Sequence, residues 1–592
     1  MTLEEASHSS NASRWTQAAI VSAFLLVLLG AAFLRLRGVA VRSLWLDEFC
    51  TWHVARLPML ESLRWGPELT IPPLYQFILR LISADPHAPE ELLRMPAVVA
   101  GVLTVAGSGW LGWMLAGRST GLALALLLAF NVPQIEYSRE ARPYSLLVLL
   151  SVLSTACWLR LVTRPHRRTV WPYVVAASAS VHAHYLAILV IAAQAVWWLG
   201  RLYGRRGDQY RWRPGWAMVA TLVLCAPVLL RPLVYHDSIS QALVWLEPGG
   251  MGQRFRTLGQ VTYGIPWVVA GLVPAIIILI FQSTPSTLRK RWQRGSRSPD
   301  TGGQAMKQSA QGSTGAAPPD GVTDEPAGAR TPRPEASKNV GRGRTSSPLL
   351  HGRGSEGGCG SVEPGPASTN SADEPRGFRR RLEDLASGCG LLLLWLLYSW
   401  LGLLALSLFA GPVDVVRYAL PAAVPALLLP LVVARAVHRV LPLVIAGLVV
   451  GLTSPRWIEY GAEVEPGFRE LTKYVRENLD PAQDAVVLVR DTASFPDWPE
   501  MERLALAYYP IEGWEVTELD ARPEAALATG GILHDPRALY LIVFRAEVEP
   551  LVYAAGRRFT RVHVDGESFS SLLFAPYRLL RVAPLSEGNG AA

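Results

Sequence analysis

The sequence predicts a polytopic α-helical membrane protein of about eleven transmembrane helices, followed by a small α/β domain. Three observations predict it. Apolar runs of roughly 15–25 residues recur along the first 280 or so positions and again from about 388 to 453, and such runs cross a hydrocarbon core of about 30 Å. Every second short loop between them is basic. From residue 455 onward the pattern changes to an amphipathic helix and short apolar strands. The overall figures, 50% hydrophobic and 18% charged, average over these materials. The distribution excludes a soluble enzyme, a disulfide scaffold and a coiled coil. The five cysteines (Cys50, Cys157, Cys225, Cys359 and Cys389) form no metal or disulfide motif.

The elements follow in order. Residues 1–15 are polar and include Glu4 and Glu5, which is unlike a cleavable signal, so they read as a cytoplasmic N-terminus. The first span runs from about 16 to 36. Further spans fall near 95–116, 121–135, 144–163, 171–182, 185–201, 216–234, 263–282, 388–411, 418–434 and 440–454. Arg118, the group Arg164, His166, Arg167 and Arg168, the group Arg201, Arg205, Arg206, Arg211 and Arg213, and the pair Arg435 and Arg439 occupy alternate loops. The positive-inside rule puts those loops in the cytoplasm. The segments 37–94, 136–143, 182–185 and 235–262 then lie on the outer face. The apolar run 71–83 is too short to span and contains Arg80, so it reads as an interfacial helix within the outer loop.

Residues 284–386 are rich in Gly, Ser, Pro and Arg and cannot bury enough apolar surface to fold. They read as a disordered, basic cytoplasmic insertion between a core at 16–283 and the last helices at 387–454. Much of the net charge of +8 comes from these segments and the cytoplasmic loops, so nucleic acid is set aside as a partner. In the final part, 455–592, residues 468–478 have helical spacing, 484–490 and 538–544 read as buried strands, and 501–509 reads as a second helix. This is enough for one α/β domain outside the membrane.

Charged residues at a membrane surface or within it are costly, and function is their default explanation. Asp47 and Glu48 stand side by side among apolar and aromatic residues just past the first span. A solvated acidic pair on an interfacial helix is the plain alternative. Glu136, Arg139, Glu140, Arg142 and Tyr144 crowd one outer loop, where an arginine fork suits phosphate and a local ion-pair loop is the alternative. His182 and His184 are two apart, so they share no helix face and make a poor helical metal pair. Arg94 and Arg417 each stand where a span begins on the outer side, and either suits a lipid headgroup as well as a substrate. All five groups reach one face of the membrane.

The ordered set of Trp45-Leu46-Asp47-Glu48, Ile71-Pro72-Pro73-Leu74-Tyr75, Leu93-Arg94-Met95-Pro96, Ser138 to Tyr144, His182 to Tyr185 and Arg417 to Pro421 resembles the GT-C superfamily of membrane glycosyltransferases. Within it the set is similar to glycosyltransferase family 39, which includes dolichyl-phosphate-mannose protein mannosyltransferases and aminoarabinose transferases. The resemblance spans about 45–425 without the insertion. One departure is Ile71, where a histidine is common before the two prolines.

The resemblance implies an inverting transfer of a sugar from a polyprenyl-phosphate donor to an acceptor hydroxyl on the outer face of the plasma membrane. The acceptor is a lipid, a glycan or a protein. Asp47 is the candidate general base and Glu48 its companion. Arg94, Glu140, Arg142, Tyr144, His182, His184 and Arg417 are candidates for binding the donor phosphate and sugar. Metal use varies among such enzymes, so no metal or other cofactor is assigned. Two other classes compete. A transporter or flippase of lipid-linked sugars would carry charges near the bilayer midplane and repeated halves. A membrane scaffold for the C-terminal domain would leave the outer motifs unexplained.

Overall fold

The computed structural model describes residues 3–64, 71–82, 85, 88–164, 166–204, 212–235, 251–283, 387–403, 416–455, 467–490, 501–520, 537–544, 557–561, 563–564, 567–568 and 577–584. The expected insertion at 284–386 lies outside these residues, as do 236–250 and 404–415.

The chain is a polytopic helical membrane protein. Its first half runs through α1 (Leu3–Leu36), α2 (Leu46–Arg56), α3 (Met59–Ser62), α4 (Leu74–Ile82), α5 (Glu90–Ala116), α6 (Arg118–Ala129) and α7 (Val132–Glu136). It continues through α8 (Tyr144–Thr163), α9 (Arg167–Ala183), α10 (Ala187–Gly204), α11 (Trp212–Val234), α12 (Met251–Val261) and α13 (Ile265–Ser283). After the insertion come α14 (Ser387–Leu403), α15 (Val416–Val437) and α16 (Leu441–Leu452).

Among the described residues, five helical stretches are long and apolar enough to cross a membrane: Gln17–Leu36, α5, α8, α11 and α15. A sixth is the pair Phe255–Val261 and Ile265–Ile280, bent by 93°. The described residues of the expected spans fall mainly on helix, with 404–411 of the span expected at 388–411 outside them, but not every helix has crossing length. Helices α6 and α16 have 12 residues each, which is about 18 Å. The span expected at 121–135 is broken at Asn131, whose side chain accepts the Gln134 N–H at 3.2 Å and starts α7, with Pro133 in its first turn. Likewise α4 has nine residues, far too few to span.

Small residues let the helices approach closely, as membrane packing favours. A Cβ on Gly121 would stand 2.4 Å from the Gly109 carbonyl oxygen, so only glycine fits where α5 crosses α6. Helix α15 is buried along most of its length despite Pro421, Pro425 and Pro430. The α1 surface at Val21, Leu25, Leu26, Leu29 and Phe33 is exposed, a lipid-facing edge.

The last part is a small α/β layer. Helices α17 (Phe468–Asn478) and α18 (Met501–Tyr508) accompany a five-stranded sheet. Strand β1 (Asp484–Arg490) pairs in parallel with β2 (Thr517–Asp520) and β3 (Ala538–Phe544). The edge is antiparallel: β7 (Tyr577–Pro584) joins β3 to β4 (Arg557–Arg561). The short strands β5 (His563–Val564) and β6 (Glu567–Ser568) pair separately. Val486 to Val489 are all buried, as befits a central strand covered on both faces. Two helices and two strands expected from the sequence fall where they were placed; the antiparallel edge was not foreseen.

Two apolar cores result. One is the helical bundle. The other joins α2, α4 and the start of α5 to the C-terminal layer, with Phe49, Trp52, Tyr75, Phe468, Leu471 and Ile542 in a single cluster.

Candidate active site

The candidate residues gather where several helix ends meet. The C-terminal ends of α1, α6 and α9 and the N-terminal ends of α5, α8 and α15 lie at one end of the bundle. Arg35 ties two of them together from a fully buried position. Its guanidinium donates to the carbonyls of Ala31, Ala129 and Leu128 at 3.2–3.3 Å and to Ser138 Oγ at 3.3 Å. It thereby satisfies the last carbonyls of α6 and anchors the 138–143 loop.

Helix α2 presents Asp47 and Glu48 in its first turn, where the helix dipole favours carboxylates. The two neighbours end in different surroundings. Glu48 is completely buried. Arg94 grips it with two parallel bonds, Nε to Oε1 at 2.8 Å and Nη2 to Oε2 at 2.7 Å. The Ala141 N–H donates to Oε1 at 2.6 Å and the Trp45 N–H to Oε2 at 3.3 Å. The remaining Arg94 hydrogens go to the carbonyls of Val39, Arg42 and Ser43 at 2.6, 2.8 and 3.1 Å. A guanidinium has five N–H donors, and all five of Arg94 are committed. Neither Glu48 nor Arg94 has a group left for a ligand.

Asp47 faces the other way and keeps 22% of its side chain exposed. Arg417, at the start of α15, donates from Nη1 to Oδ2 at 3.0 Å. Arg142 Nη2 stands 3.7 Å from the same oxygen. Arg142 Nη1 also bonds the Asp47 carbonyl at 2.9 Å and Thr51 Oγ1 at 2.6 Å. Aromatic rings wall this pair of cations. The Arg417 guanidinium lies over Trp45, Tyr144 and Tyr418 at 5.5, 5.7 and 5.5 Å, and Arg142 over Tyr144 at 5.9 Å. Such contacts favour a desolvated cation.

Among the described residues, the buried polar atoms of this cluster without a hydrogen-bond partner include Tyr144 Oη, His184 Nε2 and Glu140 Oε2. His184 packs 6.0 Å from Tyr144 and 5.5 Å from Tyr418, ring to ring. Its Nδ1 accepts the Leu186 N–H at 3.2 Å, which leaves the proton on Nε2 and makes that nitrogen a donor. Burial, with Arg142 and Arg417 nearby, lowers its pKa to about 3, so the ring is neutral at physiological pH. Burial, reinforced by Glu48 and Glu136, holds the Glu140 carboxyl well above the usual carboxylate range. Tyr144 and His184 thus offer an O–H and an N–H donor beside two cations. Buried groups left without partners are costly and call for an explanation.

The candidate set therefore divides. Asp47, Glu140, Arg142, Tyr144, His184 and Arg417 come together. Glu48 and Arg94 form a separate, saturated pair beneath them. His182 turns back along its own helix, with Nδ1 2.8 Å from the Ser178 carbonyl. Thr51 was missed, although it stands one turn after Asp47 and bonds the Asp47 carbonyl at 3.0 Å. Spacing of four on one helix was the available signal. Among the described residues, no three His, Cys, Asp or Glu side chains group as metal ligands would. A cavity of about 250 Å³ opens nearby, lined by Ala40, Glu90, Arg469, Tyr508 and Tyr509.

No protein-family model matches the chain, and no curated protein matches it. Solved structures do show similarity. ArnT from Cupriavidus metallidurans in the apo state aligns with 96% of this chain and 98% of its own, at 12% identity and a TM-score of 0.44. The same protein bound to undecaprenyl phosphate aligns with 96% and 99%, at 14% identity and a TM-score of 0.39. The apo oligosaccharyltransferase of Archaeoglobus fulgidus aligns with 91% of this chain and 71% of its own, at 12% identity and a TM-score of 0.42.

Proposed function

We propose that the protein is an inverting membrane glycosyltransferase that moves a sugar from a polyprenyl-phosphate donor to an acceptor hydroxyl on the outer face of the plasma membrane. One observation carries the reading. Two buried guanidiniums, Arg142 and Arg417, share the single carboxylate of Asp47, and three unpartnered polar atoms stand beside them. The ordered sequence motifs of the GT-C type point the same way. The opposite end of the bundle holds the basic loops, with Arg118 over Trp113 and Arg201 over Trp197. That charge asymmetry supports the reading of this end as cytoplasmic.

The chemistry follows from the arrangement. Without ligand, the Asp47 carboxylate offsets only one of the two arginine charges. A donor phosphate competes for the same guanidiniums, which match its oxygens, and so frees Asp47. Asp47 then takes the proton of the acceptor hydroxyl as that oxygen attacks the anomeric carbon. The bond from that carbon to the phosphate oxygen breaks, and its electron pair leaves with the phosphate. Arg142, Arg417, Tyr144 and the Nε2–H of His184 stabilise the departing charge, so no strong general acid is needed. Glu140 contacts the sugar.

The test is turnover of a polyprenyl-phosphate sugar by the purified protein in detergent. Consumption by wild type and its loss in Asp47→Asn support the reading. Full activity of that variant sinks the base assignment. Binding of the lipid without any transfer moves the protein to the flippase class.

A further inference from the structure

We propose that the C-terminal domain positions the Asp47 segment through a relay from Arg469 and Tyr509 to Glu90, Arg94 and Glu48, ending at the Ala141 N–H. The inference rests on the glycosyltransferase reading for its meaning, because Asp47 and Arg142 are the immediate neighbours of Glu48 and Ala141.

The relay begins on the C-terminal domain. From α17, Arg469 Nη1 donates to Glu90 Oε1 and to the Ala40 carbonyl, both at 2.9 Å, and Nη2 to the Val41 carbonyl at 2.7 Å. Just past α18, the Tyr509 hydroxyl donates to the same Glu90 oxygen at 2.5 Å while accepting the Leu44 N–H at 2.9 Å. The other Glu90 oxygen stands 3.6 Å from Arg94 Nη1. Arg94 grips Glu48, and Glu48 accepts the Ala141 N–H, as described above. Charges alternate along this line, the Glu90–Arg94 step is an ion pair without a hydrogen bond, and Glu48, Glu90 and Arg94 are each less than 10% exposed.

Packing reinforces it. Phe49, one residue after Glu48, meets Phe468, Tyr508 and Tyr509 at ring distances of 6.4, 6.1 and 5.9 Å. Trp52 meets Tyr508 edge-on at 5.1 Å. A Cβ on Gly467 would stand 1.9 Å from Ser43 Oγ, so the domain is seated directly on the loop that leads into α2. The active-site helix therefore has its inner turn set by the C-terminal domain and its outer carboxylate presented to substrate. Arg469, Tyr509 and Glu90 are positioning residues; none touches Asp47.

Amide hydrogen exchange of the full-length protein in detergent tests this without any substrate. In Arg469→Ala, peptides covering 45–49 and 139–142 should exchange about tenfold faster than wild type, while those covering the buried helix α15 stay unchanged. Arg469→Lys, which keeps the charge opposite Glu90, should recover part of the protection. Tyr509→Phe should give a weaker acceleration, roughly threefold, and serves if Arg469→Ala does not fold. Arg503→Ala, an exposed site on the same domain, should change neither segment. Unchanged exchange at 139–142 in both Arg469→Ala and Tyr509→Phe overturns the relay, as does equal acceleration in Arg503→Ala. A wild-type protein that neither binds nor consumes polyprenyl-phosphate sugar defeats the glycosyltransferase reading and leaves the exchange result standing.

Discussion

Asp47 and Glu48 are adjacent in sequence, alike in chemistry and on the same first turn of one helix, yet they anchor two contrasting regions. Around Glu48 every donor has an acceptor. Around Asp47 two cations share one carboxylate, and Tyr144, His184 and Glu140 keep buried polar atoms without partners. A fully compensated buried cluster specifies structure, because nothing in it gains from a ligand. An incompletely compensated one gains free energy when an anion arrives. The difference separates the residues that hold the site together from those expected to do its chemistry.

The largest test of that division is Asp47→Asn. Removing the base should lower transfer about 10²–10⁴-fold and leave folded protein, as judged by size-exclusion profile and circular dichroism. A variant that unfolds instead would move Asp47 into the structural region. Arg94→Ala should do the reverse. It strands the buried Glu48 carboxylate, and breaking such a pair costs about 3–5 kcal/mol, read as a lower thermal midpoint. An Arg94→Ala protein of native stability with weakened donor binding would merge the two regions.

Smaller effects sharpen the contrast. Arg417→Lys and Arg142→Lys keep the charge but lose the fork, and each should raise the donor concentration for half-saturation about tenfold, corresponding to about 1.4 kcal/mol. Unchanged donor dependence in both would remove the phosphate from this cluster.

His184 and Glu140 predict opposite pH dependences. The folded chain refuses a proton at His184 until about pH 3, whereas the unfolded chain binds it below about 6.5. Stability therefore falls as pH drops from about 6.5 toward 3. Glu140 has a raised folded pKa, so its stabilising proton is lost from the unfolded chain first, and stability falls as pH rises above the ordinary carboxylate range. His184→Gln should flatten the acid side of the thermal-midpoint profile and Glu140→Gln the alkaline side. Profiles parallel to wild type would contradict the burial of these two groups.

The smallest change is expected at Arg503, whose pair with Glu518 at 2.5 Å is largely exposed. Its loss in Arg503→Ala should cost at most about 1 kcal/mol, so a large drop in thermal midpoint would show that exposure is a poor guide here.

Much of the bundle was legible because hydropathy is a property of short windows. Helices α5, α8, α11 and α15 match their predicted runs closely. The break at Asn131 was missed because an apolar window averages over a single capping side chain. The gathering of Asp47, Arg142 and Arg417 was suggested by residue type and by alternate loops. Their division from Glu48 and Arg94 was not readable. It depends on carbonyls at positions 39, 42 and 43, and backbone acceptors leave no trace in side-chain patterns. Glu90, Arg469 and Tyr509 escaped notice for another reason. They are ordinary residues for a helix start and a soluble domain, and only the fold brings them together. Of the α/β part, the two apolar strands were visible from their unbroken hydrophobic runs. The antiparallel strands β4 and β7 carry arginines that obscure the period.

The seating of the C-terminal domain on α2 also governs how the chain is made. The bond between Leu44 and Tyr509 joins residues 465 positions apart. At about 5–20 residues per second of synthesis, that gap lasts roughly 20–90 seconds. Through that interval Phe49 and Trp52 have been synthesised but lack the aromatic partners that later bury them. A ribosome that stalls or stops before residue 468 leaves α2 without the aromatic seat that the C-terminal layer supplies.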